Sequence, residues 1–209
     1  MITIGLNKQL DNRVFKDFWD FSVAGADFGA GIKRDHPGIK MENHEEYIEK
    51  YYRDHAEILE KNRGELTVAL DQAQDKFSKE MGKLFGLDFN QDNYQGYLSI
   101  FDCNPRFIET NSFQVFYQRD LEGKLEVVFH ESLHFMFFKY CDLKFKKETG
   151  NLAKDFGPLW ELSEIFNVIV LKEKLFYPQL TEKLTTYQEV WTKTGGDVPT
   201  FLAEALKDL

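Results

Sequence analysis

The sequence predicts an α+β protein that is predominantly helical and carries a small sheet. Apolar residues recur at three- and four-residue spacing through much of the 209-residue chain, which is the period of amphipathic helices. Two short segments after Gly86 are instead aromatic and β-branched, as strands are. With 43% hydrophobic residues the chain can bury a core as one domain or two small lobes, and we expect a single domain over residues 1–209. Its first part, 1–90, is expected to be helical, and 91–209 to hold the sheet and the remaining helices.

The N-terminal part begins with a short amphipathic helix over residues 11–21. A glycine-rich loop is predicted over residues 24–38, because glycine and proline interrupt regular structure. From residue 42 to residue 85 the apolar period indicates one long helix or two stacked ones. A break would fall at Asn62-Arg63-Gly64, and Gly86 is a natural C-terminal stop.

The C-terminal part contains the predicted strands, at residues 97–101 and 113–117, with 107–108 as a candidate third strand. Asn104-Pro105 is typical of a turn between them. The helices that follow are predicted at residues 121–141, 157–176, 180–191 and 199–206.

Net charge and composition indicate which classes of partner and which cellular compartment to expect. The net charge of −9 repels phosphate backbones and anionic membrane surfaces, so neither nucleic acid nor a membrane is an expected partner. The N-terminal residues lack a signal-peptide pattern, and no apolar run approaches the length of about 18 residues that spans a membrane. Cys103 and Cys141 are expected to be reduced thiols, and the protein to be cytoplasmic. The oligomeric state stays open.

The predicted helix at residues 121–141 carries His130-Glu131-Ser132-Leu133-His134. Residues four apart lie on one face of a helix, so both imidazoles point toward a single position, which suits zinc. Glu131 can reach a water at that position and act as a general base. Apolar residues flank the motif on both sides, and burying these polar side chains is costly unless a metal or hydrogen bonds satisfy them.

The segment 127–136, Val-Val-Phe-His-Glu-Ser-Leu-His-Phe-Met, resembles the active-site helix of the zincin metallopeptidases. The resemblance implies a small mixed sheet packed on this helix and one Zn²⁺ per chain. It implies that His130 and His134 are zinc ligands and that Glu131 is the catalytic base. The reaction implied is hydrolysis of peptide bonds in a peptide or protein substrate, through a metal-activated water.

A third ligand is needed, because catalytic zinc commonly keeps three protein ligands and one water. In the metzincin branch of the zincins, a third histidine soon after the motif completes the site. No histidine follows His134 in this chain, so that branch is excluded. The segment 158–167 is similar to the second helix of the gluzincin branch, where a glutamate completes the site. On this likeness Glu164 is the third ligand, and Glu161, one turn earlier, is the alternative ligand or a partner that orients a histidine. Asp142 and Asp155 are outside candidates.

The resembling families also imply an oxyanion donor, for which Tyr177 and Tyr187 are the candidates, although aromatic residues at helical spacing are usually part of the core. His36, His44 and His55 are expected in surface or helix-packing roles. A carboxylate di-metal bundle is disfavoured, because it requires a second Glu-x-x-His.

Two further alternatives stay open. In one, the motif belongs to a core helix whose histidines form hydrogen bonds with neighbouring polar groups. In the other, the chain is a non-catalytic zinc-binding protein with a regulatory or interaction role on a zincin scaffold.

Overall fold

The computed structural model describes the backbone of residues 1–209 and every side chain except that of Asp208. It is predominantly helical with a small mixed sheet, as the sequence predicts. The strands are β1 (Ile2–Leu6), β2 (Ser22–Val23), β3 (Ala26–Asp27), β4 (Tyr94–Ser99), β5 (Arg106–Phe107) and β6 (Ser112–Phe116). The helices are α1 (Lys8–Phe18), α2 (Phe28–Asp35), α3 (His44–Asp54), α4 (Ala56–Phe85), α5 (Leu121–Lys144), α6 (Lys146–Thr149), α7 (Gly157–Leu171), α8 (Thr181–Lys193) and α9 (Val198–Ala205).

The four-stranded sheet has the order β1-β4-β6-β5. β4 runs parallel to both β1 and β6, whereas the short edge strand β5 runs antiparallel to β6. At the centre, a Cβ on Gly96 would lie 2.8 Å from Ile4 Cδ1 and 3.0 Å from Phe113 Cζ, so a larger residue there would displace these side chains. β1 was not predicted from the sequence, although its buried residues Ile2 and Ile4 alternate as a strand requires.

The chain divides into two compact units, residues 1–75 with 90–131 and residues 76–89 with 132–209. The boundaries fall within α4 and within α5, each of which is a continuous helix. The prediction of a single domain over residues 1–209 stays a prediction. The first unit holds the sheet, α1 to α3 and the first parts of α4 and α5, whereas the regular elements of the second are helices joined by loops.

A fully buried carboxylate, Asp11 of α1, connects the elements of the first unit. Its Oδ1 accepts hydrogen bonds from Ser99 Oγ at 2.6 Å and Gln114 Nε2 at 2.8 Å. Its Oδ2 accepts from Tyr52 Oη at 2.7 Å and from the backbone N–H of Ile100 at 3.2 Å. Burial raises the pKa of Asp11, the hydrogen bonds from these four donors offset part of the rise, and the resulting pKa is about 6.

The glycine-rich segment predicted as a loop contains α2. Asp27 caps this helix by accepting a hydrogen bond from Ala30 N at 2.9 Å, and Phe28 and Ile32 bury its apolar face. Gly29 is required by a close approach, because a Cβ at this position would lie 2.1 Å from the carbonyl oxygen of Trp19. Tertiary packing therefore overrides the low helix propensity of glycine here.

The apolar segment from residue 42 to residue 85 forms two helices that separate at His55, before the predicted break. His55 leaves helical geometry, with φ −115° and ψ 16°, while its ring stacks on Tyr51 at 4.0 Å between centroids. Its Nδ1 lies 2.9 Å from Tyr51 O. Gly64, part of the predicted break, lies inside α4. Gly86 follows α4 with φ +63° and ends it as predicted.

Phe166 lies at the centre of the second unit. Its ring centroid is 5.2 Å from that of Phe137, 5.7 Å from Trp191 and 5.8 Å from both Phe85 and Phe201. These residues come from α4, α5, α8 and α9, so the aromatic cluster holds these helices around α7. The cluster fixes which face of α7 turns inward.

Candidate metal centre

The motif helix α5 begins at Leu121, directly after Asp120. Asp120 Oδ1 accepts a hydrogen bond from Gly123 N at 2.7 Å, which satisfies one of the open donors of the first turn. Leu133, Met136 and Phe137 are fully buried, and the apolar positions continue around the helix. A helix that is apolar on all sides lies inside a protein, so the polar residues of the motif are buried with it.

The residues of the motif differ in their burial. His134 is fully buried, Glu131 is almost fully buried, and His130 is half-buried. The His134 ring lies nearly parallel to that of Phe138, with an interplanar angle of 14° and centroids 6.0 Å apart, which restricts its orientation.

The second helix of the predicted site, α7, begins with Gly157-Pro158, where proline suits the first turn. Glu164 lies in its middle and is buried together with Leu162, Ser163 and Ile165. Isolated buried carboxylates are rare in proteins. Glu164 faces His134, whose Nε2 lies 3.4 Å from Glu164 Oε1.

His130, His134 and Glu164 form a group whose ligand atoms all lie within 4.8 Å of one another. Two imidazoles and one carboxylate are a donor set of catalytic zinc sites. Ligand atoms at about 2.1 Å from a tetrahedral zinc are about 3.4 Å from each other, which is the distance between His134 Nε2 and Glu164 Oε1. The donor chemistry of the group therefore suits zinc, and the spacing of the pair His134–Glu164 matches one edge of a tetrahedral site. That they bind one stays a prediction.

Glu161, the alternative third ligand, lies one turn before Glu164. Its carboxylate forms an ion pair with Lys183 of α8, and its side chain is 26% exposed. The group of ligand atoms within 4.8 Å contains Glu164 but not Glu161. The tertiary structure thus favours Glu164.

Of the remaining residues named from the sequence, Asp155 is exposed, and Asp142, Tyr177 and Tyr187 lie in other contacts. Asp142 forms an ion pair with Lys154 at 2.6 Å. The Tyr177 ring packs edge-on against Trp160, with centroids 5.0 Å apart, and the buried Tyr187 packs near Phe201. For both tyrosines, the role as oxyanion donor stays a prediction.

The other three histidines lie in packing contacts. His36 Nε2 is 2.8 Å from Ile100 O, and burial lowers the pKa of His36. His44 Nδ1 is 2.8 Å from Met41 O, and its ring stacks on Phe15. His55 stacks on Tyr51, as described above.

Arg106 is the residue near the motif that the sequence did not indicate. Its Nη1 lies 3.5 Å from Glu131 Oε2, and the side chains of Arg106 and Glu131 are 11% and 7% exposed. Arg106 lies in a two-residue strand after the Asn104-Pro105 turn. Its position in the sequence is far from the motif, and its residue type is common on surfaces, so no signal in the sequence marked it.

Comparison with known proteins gives no match to this chain. No protein-family model, no curated protein and no solved structure is similar to it. The likeness to zincins therefore depends on the motif residues, and the geometry of His130, His134 and Glu164 is independent of that likeness. Within the described part of the chain, none of the helices has the length and apolar character needed to cross a membrane.

Proposed function

We propose that this chain is a zinc-dependent peptidase, similar to the gluzincin branch of the zincins. Its cofactor is one Zn²⁺ per chain, and its substrate is a peptide or a protein. The single observation that carries the proposal is the convergence of His130, His134 and Glu164, with His134 Nε2 and Glu164 Oε1 at 3.4 Å. A group of two imidazoles and a carboxylate this compact, in a largely buried setting, is typical of a metal site.

Each residue of the group has a distinct role in the proposal. His130, His134 and Glu164 hold the metal. Zinc, when bound in such a site, lowers the pKa of water toward neutrality and polarises the carbonyl of the scissile bond. Glu131 lies next to His130 on the same helix, and its carboxylate accepts the proton of the attacking water. Glu131 then returns this proton to the nitrogen of the leaving amine as the carbon–nitrogen bond breaks.

Burial of the group contributes to this chemistry. His134, Glu131 and Glu164 are all almost inaccessible to solvent. In such a setting, bulk water competes less for the carboxylates, and charges interact more strongly than they do in solvent. The stacking of His134 on Phe138 reduces the reorganisation that metal binding would require.

We further propose that the protein is cytoplasmic and binds neither nucleic acid nor membranes. The net charge of −9 supports the absence of polyanionic partners. Cys103 and Cys141 are both buried free thiols, which is compatible with a reducing compartment.

The proposal is tested by measuring bound metal together with the digestion of a peptide library. We expect one zinc per chain and cleavage that Glu131→Gln abolishes without loss of zinc. Glu126→Gln is the matched control, because Glu126 is an exposed residue on the same helix, and it should leave cleavage unchanged.

The other outcomes of this experiment are also informative. Zinc without cleavage of any peptide would favour the alternative, a non-catalytic zinc-binding protein with a regulatory or interaction role. Failure to bind any metal would exclude both functions and favour a core helix with hydrogen-bonded histidines.

A further inference from the structure

The ion pair between Arg106 and Glu131 lies within the first unit and is almost fully desolvated. Arg106 Nη1 is 3.5 Å from Glu131 Oε2, and the two side chains are 11% and 7% exposed. By comparison, the side chains of the pair formed by Arg119 and Asp102 are 32% and 35% exposed. Taking two charges out of water is costly, so a pair this buried is a poor means of adding stability.

The backbone on both sides of the pair is rigidly held. Arg106 pairs with Phe113 in the ladder between β5 and β6, and Gln114 N donates to Pro105 O at 2.9 Å. Asn104 has a left-handed φ of +45°, and its Oδ1 accepts a hydrogen bond from Phe116 N at 2.9 Å. Glu131 lies in the continuous helix α5. The guanidinium and the carboxylate therefore project from two elements of the first unit whose backbones are hydrogen-bonded.

We infer that Arg106 is a positioning residue for Glu131, which holds the carboxylate of the base in its productive orientation. This inference rests on the proposed peptidase function. A glutamate side chain has several rotatable bonds, and a buried guanidinium 3.5 Å from one carboxylate oxygen favours the orientations that keep the two charges together. Small errors in the position of a catalytic group cost large factors in rate.

The kinetic test compares Arg106→Met, Arg106→Lys and the control Arg119→Met, which removes a more exposed ion pair in the same unit. For Arg106→Met we expect kcat to fall on the order of 10- to 100-fold, with KM changed less than about threefold. Arg106→Lys should recover part of this loss, because it keeps the charge but not the planar fork. Arg119→Met should keep the kcat of the wild type.

A second measurement on the metal-free protein is independent of activity. The urea midpoints of Arg106→Met, Glu131→Gln and the double variant form a double-mutant cycle. We expect the shifts of the single variants not to add in the double variant, because each change alone removes the opposite charge of this pair from a buried ionised side chain. Zinc affinity of Arg106→Met should remain within about threefold of the wild type, since Arg106 is not a ligand.

The outcomes separate this inference from the proposed function. A wild-type protein that cleaves peptides, with Arg106→Met retaining its kcat, would overturn the inference alone. Additive midpoint shifts would do the same, because the two side chains would then not interact. A wild-type protein that binds no zinc or cleaves no peptide would overturn the proposed function and this inference with it.

Discussion

His134 Nε2 lies 3.4 Å from Glu164 Oε1, and both side chains are almost completely buried. The two residues belong to α5 and α7 and are thirty positions apart in the sequence. Without a metal, the contact is an ion pair when His134 is protonated. With a metal, the same spacing is an edge of the tetrahedron that zinc prefers. The metal-free ion pair and the metal-bound site lead to different expectations for substitutions in α7.

The identity of the third ligand is tested by two substitutions on α7. Glu164→Gln should weaken zinc binding about 100-fold or more, because it removes a charged donor from the group. Glu161→Gln should leave zinc affinity nearly unchanged, because its ion pair with Lys183 lies partly in solvent. Competition against a chromophoric chelator measures both affinities. Loss of zinc binding in Glu161→Gln, with binding retained in Glu164→Gln, would reverse the assignment.

Zinc binding should also stabilise the fold. A ligand that binds only the folded state, at about 100 times its dissociation constant, adds roughly 2.7 kcal/mol to the free energy of unfolding. We expect the melting temperature to rise with zinc and to fall with a chelator. His134→Ala should abolish the response to zinc, and Glu161→Gln should retain it. An equal response in wild type and His134→Ala would show that zinc acts at another place.

The buried Asp11 should make stability depend on pH. Burial raises its pKa from 3.8 to about 6 in the folded protein, so the folded state holds a proton that the unfolded state loses. The contribution of Asp11 to the free energy of unfolding is fully present below about pH 4 and is lost as the pH rises through about 6. The total loss is roughly 3 kcal/mol. Denaturant unfolding of the metal-free protein between pH 4 and pH 7.5 measures it.

The variant Asp11→Asn cannot ionise and should lack this part of the pH dependence. Asp17→Asn is the control, since Asp17 is an exposed residue on the same helix, and its pH dependence should follow the wild type. If Asp11→Asn and the wild type change equally with pH, the Asp11 carboxyl does not titrate in this range.

Replacing either of two glycines in α2 with alanine should change the free energy of unfolding in opposite directions. In Gly29→Ala the new Cβ would lie 2.1 Å from Trp19 O, so the backbone must move, and we expect a loss of about 3 kcal/mol. In Gly31→Ala the Cβ meets nothing within 4 Å, and the better helix propensity should add about 0.5 to 1 kcal/mol. Urea midpoints distinguish the two. Similar midpoints for both variants would contradict the packing of α2 against Trp19.

The features that the sequence predicted are those set by local periodicity and local backbone preference. The i, i+4 spacing of His130 and His134 places both rings on one face of any helix, whatever surrounds it. Gly86 ends α4 because a left-handed residue is favoured there. The helical character of residues 121–141 follows from the apolar residues around the whole segment. The predominantly helical α+β class is the sum of such local signals.

Between Glu161 and Glu164, tertiary packing favours Glu164 as the predicted third ligand. Both side chains lie on nearly the same face of α7, and the orientation of that helix, held by the cluster around Phe166, directs Glu164 to His134 and Glu161 to Lys183. The contact of Arg106 with Glu131 likewise depends on the pairing of β5 with β6. A sequence pattern records which side chains share a face of one element. Which faces meet depends on contacts between residues distant in the chain, and only the folded structure contains them.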